Sequence, residues 1–355
     1  MSTRRELLES VADTISDYRE GEVARRTPEL IEKWLNQFPD AVQDPFLGEI
    51  NHLLSKTYLS RETVTEFLQG LLTNEKFCGS DPRSFWSDAN LLRLPQRGNS
   101  QRELLSMFDT LLESELGLKP EQCGNGKSVF VYLDDGVFGG GTLRDDIFTW
   151  LETDAPEEFE LRIVVAVLHS GGSWFAIKSK GGIEDKAREL GKKISVTPWR
   201  IYTVESRLYS KDNSDVLWPT AVPSGELAKK YVKYLAEEDP KRPPALRSPG
   251  TVGPGGFYSS DSSRILLEQE LLTAGLKIRD IAENLPETAR PLGATLLKTF
   301  GLGATFVTFR NCPNNCPLAF WVDDPWFPLF PRSSNSEAFM RRLMAVSRNR
   351  KSLGG

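Results

Sequence analysis

A short central segment carries the residues whose types and spacing could do chemistry. It runs from Val129 to Thr142 and reads Val-Phe-Val-Tyr-Leu-Asp-Asp-Gly-Val-Phe-Gly-Gly-Gly-Thr. Its apolar run predicts a buried strand of a parallel sheet, which ends in two adjacent carboxylates, Asp134 and Asp135. These two residues, the acidic pair, could accept hydrogen bonds from sugar hydroxyls or hold water on Mg²⁺.

A glycine-rich turn follows the acidic pair and precedes a predicted helix. It consists of Gly139, Gly140, Gly141 and Thr142, which we call the glycine loop. Glycines let backbone N–H groups approach an anion closely, and a helix N-terminus favours a phosphate. Because ligands of open α/β sheets bind beyond the carboxyl ends of the strands, the segment predicts a sugar-phosphate site. A plain strand-to-turn exit is the alternative, since Asp and Gly are common at such exits.

The elements around this segment predict an α/β fold with a parallel sheet. Strands joined by helices through short links are typical of right-handed crossover units. The predicted strands span residues 90–94, 128–133, 161–168 and 194–202, and the predicted helices between them span residues 101–116 and 143–151. Elsewhere the sequence predicts a helix over residues 4–18, a helix capped by Ser60, a helix over residues 263–275 that Gly275 ends, and a strand over residues 304–310.

The central segment resembles the signature of type I phosphoribosyltransferases, in which four apolar residues and two acidic residues precede a phosphate loop ending Thr-Gly-x-Thr. The resemblance implies that Asp134 and Asp135 face the ribose hydroxyls of phosphoribosyl pyrophosphate (PRPP) and serve as Mg²⁺ ligands. It also implies that the glycine loop, with the Thr142 hydroxyl, holds the 5′-phosphate. Two departures stand out: Gly139 replaces the usual threonine, and Phe138 occupies a position where purine-salvage members often carry an aspartate.

The loop Gln96-Arg-Gly-Asn-Ser100 follows the first predicted strand, where this family keeps its pyrophosphate loop. Arg97 and the backbone at Gly98 could meet the leaving group there. Equally, Asn99 or Ser100 could cap the helix that begins near Arg102.

The chain from about residue 60 to 335 also looks like the phosphoribosyltransferase-like proteins of bacterial conflict systems, including those that accompany some retrons. The distinctive residues are Phe309-Arg-Asn-Cys-Pro-Asn-Asn-Cys-Pro317 and Trp326-Phe-Pro-Leu-Phe-Pro-Arg332. This second resemblance implies a role in antiphage defence, as an effector or a regulator. It also implies a defence-system partner such as a reverse transcriptase with its nucleic acid.

The predicted organisation is a type I phosphoribosyltransferase-like core with an N-terminal helical extension and a C-terminal α+β extension. A proline- and glycine-rich stretch before residue 257 predicts a long loop or boundary. The predicted segments are a helical region at 1–75, the core at 76–240, the loop at 241–256, an α+β part packed on the core at 257–335, and a basic helical tail at 336–355.

The composition is that of a globular protein, with 39% hydrophobic and 26% charged residues. The net charge of −5 disfavours nucleic-acid binding by bulk charge. No stretch approaches the roughly 18–20 apolar residues of a membrane span, and the first residues are charged and polar. We therefore expect a cytoplasmic protein with no membrane partner.

Two functions stay open at this point: a Mg²⁺-dependent enzyme acting on PRPP or a related nucleotide, and a catalytically inactive nucleotide-sensing or scaffold module. Residues 169–172 (His-Ser-Gly-Gly) could line the crevice or form a strand-end turn. Arg290, Arg310 and Arg332 could meet phosphates, and surface roles are the favoured alternative.

Overall fold

The computed structural model describes residues 2–94, 100–206, 214–241, 244–250, 252–283 and 285–332. The chain divides into two compact units, Leu59–Tyr209 and a discontinuous unit made of Met1–Tyr58 and Ser210–Gly355. The segment boundaries expected at residues 75 and 240 remain predictions about domains, and the basic tail lies outside the described residues. Among the described residues, no helix has the length and apolar character needed to cross a membrane.

The N-terminal region is helical, as its apolar periodicity predicts. Its elements are α1 (Arg4–Thr14), α2 (Pro28–Leu35), a 3-10 turn (Asp40–Val42), α3 (Gln43–Thr57) and a short strand β1 (Tyr58–Leu59). Thr3 and Thr27 cap α1 and α2 with their hydroxyls. The helix expected to reach Tyr18 ends at Thr14.

The unit Leu59–Tyr209 is built on a parallel sheet, which confirms the predicted fold class. In the described part of the chain the sheet has strand order β2-β3-β4-β5, with every neighbouring pair parallel. The strands are β2 (Asn90–Leu91), β3 (Val129–Val137), β4 (Glu158–His169) and β5 (Lys193–Val204). Strand β3 is longer than expected and contains the acidic pair within its ladder.

Successive residues of strand β4 from Ile163 to His169 are buried, so both of its faces are covered there, which explains why this strand is almost continuously apolar. The helices are α4 (Arg61–Leu72), α5 (Glu75–Cys78), α6 (Pro82–Asp88), α7 (Ser100–Leu116), α8 (Gly141–Thr153), α9 (Ser170–Ile177) and α10 (Ile183–Glu189), with a 3-10 turn at Pro120–Gln122. Ile147 and Trp150 of α8 pack on Tyr132 and Ile163 in one core cluster. Ser60 caps α4, as its position before Arg61 predicts.

The C-terminal region completes the discontinuous unit. Its elements are α11 (Glu226–Glu238), α12 (Asp261–Ile281), β6 (Val307–Thr308), which pairs with β1, and α13 (Leu318–Trp321). The prediction that Gly275 ends a helix is wrong, because α12 continues to Ile281. A Cβ atom at Gly275 would lie 2.4 Å from the Pro291 carbonyl oxygen, so this glycine permits close packing instead. The strand expected over residues 304–310 is limited to Val307 and Thr308.

Candidate functional site

Polar residues gather where the parallel strands of the sheet end. Strand β3 ends just after the acidic pair, β4 ends at His169, and β5 ends beside it at Val204. Since all these strands are parallel, their carboxyl ends share one edge of the sheet. The glycine loop and the N-termini of α8 and α9 lie at that edge.

Asp134 is half-buried and accepts hydrogen bonds from three neighbours. Its Oδ1 atom accepts from the Asp135 backbone N–H at 2.8 Å and from the Ser100 hydroxyl at 3.4 Å. Its Oδ2 atom accepts from the Tyr132 hydroxyl at 3.3 Å. Burial, and then the charge of Asp135, raise the pKa of Asp134 well above its usual range. The two carboxylates of the acidic pair therefore interact, and a cation placed beside them would favour their ionised forms.

Asp146 of α8 belongs to the same cluster. The Tyr132 hydroxyl also lies 3.2 Å from Asp146 Oδ2, between a carboxylate of the strand and a carboxylate of the helix. A phenol has one proton, so it donates to one of these two carboxylates at a time. Tyr132 is fully buried, and burial is the main reason that its pKa is raised. Asp135 is buried with 8% of its surface exposed.

The glycine loop forms the start of α8. Gly140 takes the N-cap position with a φ of +79°, a left-handed conformation that favours glycine, and no described side chain caps this helix N-terminus. Its first N–H groups thus lack a side-chain acceptor, which is the arrangement that suits an anion. Gly139 and Thr142 are exposed. Phe138 is buried with its ring against Gly136, so it packs in the interior rather than offering a polar group.

Backbone packing positions the glycine loop. A Cβ atom at Gly140 would lie 2.2 Å from the Gly172 carbonyl oxygen, and one at Gly172 would lie 1.8 Å from the Phe138 carbonyl oxygen. Both positions therefore require glycine. The start of α8 and the start of α9 touch through their main chains.

His169 contacts both of the backbone segments that meet here. It is the N-cap of α9, and its Nδ1 atom lies 3.1 Å from the Gly172 backbone N–H and 3.0 Å from the Phe138 carbonyl oxygen. Its Nε2 atom lies 2.5 Å from the Ser206 hydroxyl. Burial lowers the pKa of His169, which favours the neutral ring. A neutral ring carries one N–H, so Nδ1 either accepts from Gly172 or donates to Phe138.

The remaining predicted site residues can be placed only in part. Arg97 and Gly98 lie outside the described residues. Ser100 is the first residue of α7 rather than the residue before it, and its hydroxyl is directed at Asp134. The structure thus brings Ser100, the acidic pair and the glycine loop to one edge of the sheet.

The sequence analysis assigned no role to two residues of this site, Tyr132 and Asp146. It left open whether His169 lines the crevice or forms a turn. Tyr132 precedes Asp134 by two strand positions and so shares its face of the sheet. Asp146 follows Thr142 by four positions and so shares its face of the helix. The two-residue period of a strand and the four-residue spacing of a helix would therefore have predicted that Tyr132 and Asp146 lie near the site.

A Mg²⁺ ion would have to draw most of its ligands from a bound molecule. Among the described residues, no group of three or more His, Cys, Asp or Glu side chains could hold a metal ion. Mg²⁺ in nucleotide sites commonly takes one or two carboxylates and completes its shell with phosphate oxygens and water. The acidic pair fits that use and does not form a dedicated metal cage.

The fold and the site together define a class: an α/β protein whose parallel sheet ends in an acidic pair followed by a helix N-terminus without a side-chain cap. A family model described as PRTase-CE matches residues 31–332. The chain therefore belongs to this family and contains a phosphoribosyltransferase-like domain. Neither the curated proteins nor the solved structures include a match.

Proposed function

We propose that this phosphoribosyltransferase-like domain binds PRPP or a related nucleotide, together with Mg²⁺, at the acidic pair and the glycine loop. One observation carries the proposal: the acidic pair ends a buried parallel strand, and the next residues form a helix start without a side-chain cap.

Each group has a chemical role in this proposal. Asp134 and Asp135 accept hydrogen bonds from the ribose hydroxyls, while the backbone N–H groups of the glycine loop and the Thr142 hydroxyl bind the 5′-phosphate. Arg97 and Gly98 would meet the pyrophosphate. When bound, Mg²⁺ would neutralise phosphate charge.

If the domain is catalytic, the bond between ribose C1 and its leaving group breaks with its electron pair leaving on pyrophosphate or on a base. The sugar then passes through an oxocarbenium-like state, and an acceptor atom forms the new bond to C1. The acidic pair would stabilise the positive sugar, so positioning and electrostatics supply most of the rate enhancement.

We also propose, from the resemblance to conflict-system proteins, that the domain is an effector or regulator in bacterial antiphage defence. A reverse transcriptase bound to its nucleic acid is the partner that this resemblance suggests. Expression of the chain and of its acidic-pair variant in phage-challenged cells tests this role separately from ligand binding.

A catalytically inactive nucleotide-sensing or scaffold module is the second candidate function. Gly139 is exposed and has no side chain to donate to phosphate, and the buried Phe138 offers no acid near a base. Co-purification discriminates the two functions. A stable complex with a protein and nucleic acid, without turnover by the isolated chain, favours the scaffold.

Isothermal titration with PRPP, with and without Mg²⁺, tests the binding site. We expect Mg²⁺-dependent binding that is lost in the Asp134→Asn/Asp135→Asn variant. The Asp145→Asn/Asp154→Asn variant is the matched control, because it removes two exposed carboxylates from α8 and its C-terminal end. Equal loss in both variants, or no binding by a chain with a native far-UV spectrum, would refute the proposed site.

A further inference from the structure

Arg290 is a buried cation without an acidic partner in the described part of the chain. Only 1% of its surface is exposed. Its Nη1 atom donates to the Tyr234 hydroxyl at 3.1 Å, and its guanidinium carbon lies 5.6 Å from the centre of the Tyr234 ring. Its Nε atom is buried and has no hydrogen-bond partner among the described residues. An unsatisfied buried charge is costly, so the arrangement requires an explanation.

Other buried arginines of the same unit show how this protein normally neutralises such charges. Arg264 and Arg247 donate to the fully buried Glu268 at 2.8 and 2.9 Å. Arg310 pairs with Glu22 at 2.6 Å. Arg26 is also buried and has no ion pair in the described part of the chain, but its Nε atom donates to the Ala24 carbonyl at 3.1 Å. Arg290 differs from these arginines because it lacks both an acidic partner and an acceptor for Nε among the described residues.

A second arginine contacts the residue that precedes Arg290. Arg279 of α12 donates to the carbonyl of Ala289, the residue before Arg290, and its guanidinium carbon lies 5.6 Å from the Tyr231 ring centre. No ion pair joins Arg279 to a described carboxylate. Tyr231 and Tyr234 are neighbours on α11, with ring centres 5.7 Å apart. Two guanidinium groups therefore flank a pair of tyrosines.

The charge of Arg290 affects the pKa of Glu238, but Glu238 forms its ion pair with Lys298. The pKa of Glu238 is lowered first by a hydrogen bond from Lys298 and by the charge of that lysine, and last among its causes by the charge of Arg290. Lys298 also pairs with Glu287 at 3.1 Å. These acids leave the Nε edge of Arg290 without a counter-charge.

We propose that Arg290, Arg279 and Tyr234 form a binding site for a phosphate group, distinct from the acidic pair and the glycine loop. The Nε–H group of Arg290 is a buried donor without an acceptor among the described residues, and guanidinium groups suit the geometry of phosphate oxygens. The Tyr234 hydroxyl supplies a further polar contact.

Nuclear magnetic resonance of the arginine Nε–H groups tests this site directly. The full chain is labelled with ¹⁵N-arginine, and the Arg290 signal is identified by its loss in Arg290→Lys. We expect a saturable shift of this signal on titration with inorganic phosphate. Ribose 5-phosphate distinguishes an esterified phosphate from the free ion, and either response supports the site. The absence of a saturable shift, or an equal response to acetate, would overturn the proposal.

Two variants separate this site from the proposed PRPP site. The Asp134→Asn/Asp135→Asn variant should keep the Arg290 response, and its loss there would show that the two sites are one. In urea denaturation, phosphate should raise the midpoint of the wild-type chain more than that of Arg290→Met, because the glycine loop and the general stabilising effect of phosphate remain in the variant. An equal phosphate effect in both chains would contradict the assignment.

Discussion

Gly140 and Gly172 are the residues on which the shape of the proposed phosphate loop depends most directly. Each meets a carbonyl oxygen within 2.2 Å of where a Cβ atom would lie, and Gly140 also has a positive φ. We therefore expect Gly140→Ala to lower the free energy of unfolding by at least about 2 kcal/mol. Urea denaturation followed by far-UV circular dichroism measures the change.

Gly141 provides the matched control for this prediction. It is the next residue, and a Cβ atom there would meet nothing within 4 Å. Gly141→Ala should therefore change the free energy of unfolding by no more than about 0.5 kcal/mol. Similar losses in the two variants would show that the contact between the loops does not constrain the chain.

His169 should make stability depend on pH. Burial is the main cause that lowers its pKa from the ordinary value of 6.5 in the folded chain, while the Phe138 carbonyl and the Glu205 charge oppose it. The unfolded chain then binds the proton more readily than the folded chain. Consequently, the contribution of His169 to the free energy of unfolding is constant above about pH 6.5 and decreases as the pH falls below that value.

The comparison of wild type with His169→Gln measures this effect. Urea midpoints determined from about pH 8 to about pH 5 should decrease less steeply in the variant, since glutamine does not titrate. Parallel curves for the two chains would contradict the prediction.

At the scale of elements, α12 is anchored by a buried carboxylate. Glu268 accepts from Arg264, Arg247 and the Trp218 backbone N–H. Glu268→Gln leaves the buried Arg264 guanidinium without a carboxylate among the described residues, while Arg247 keeps its ion pair with Asp261 at 2.7 Å. We expect it to lower the free energy of unfolding by about 3–5 kcal/mol.

Glu270 lies on the same helix and is the control for Glu268. Burial raises its pKa, and no ion pair joins it to another described residue. Glu270→Gln should change the free energy of unfolding by no more than about 0.5 kcal/mol in the same denaturation experiment. A loss as large as that of Glu268→Gln would mean that the buried ion network is not what anchors α12.

At the scale of the whole molecule, the discontinuous unit joins helix α2 of the N-terminal region to helix α13 of the C-terminal region. Trp34 of α2 is fully buried, and its Nε1 atom donates to the Ala319 carbonyl at 2.8 Å. Trp34→Ala should lower the free energy of unfolding by about 3–5 kcal/mol. It should also reduce hydrogen-exchange protection in both α2 and α13, because the two helices share one core.

Trp174 is the control for this substitution because 62% of its surface is exposed. Trp174→Ala should alter the free energy of unfolding by no more than about 0.5 kcal/mol. Loss of protection confined to α2 in the Trp34 variant would show that the N-terminal and C-terminal parts do not fold as one unit.

The sequence alone was sufficient to predict the α/β class, the order of strands and helices around the acidic pair, and the start of α8 at the glycine loop. These features depend on local properties: continuous apolar runs form buried strands, helices show a period near 3.6 residues, and glycine adopts a positive φ. Such local properties can be predicted from short stretches of sequence.

Only the tertiary structure decided which distant residues meet. The expected surface roles of Arg290 and Arg310 were wrong, since both are buried, and Gly275 serves close packing rather than helix termination. The contact of Gly140 with Gly172 and the placement of the Tyr132 hydroxyl between Asp134 and Asp146 likewise became visible only in three dimensions. Burial and pairing are properties of neighbours brought together by folding, and a residue's own type and sequence context do not specify them.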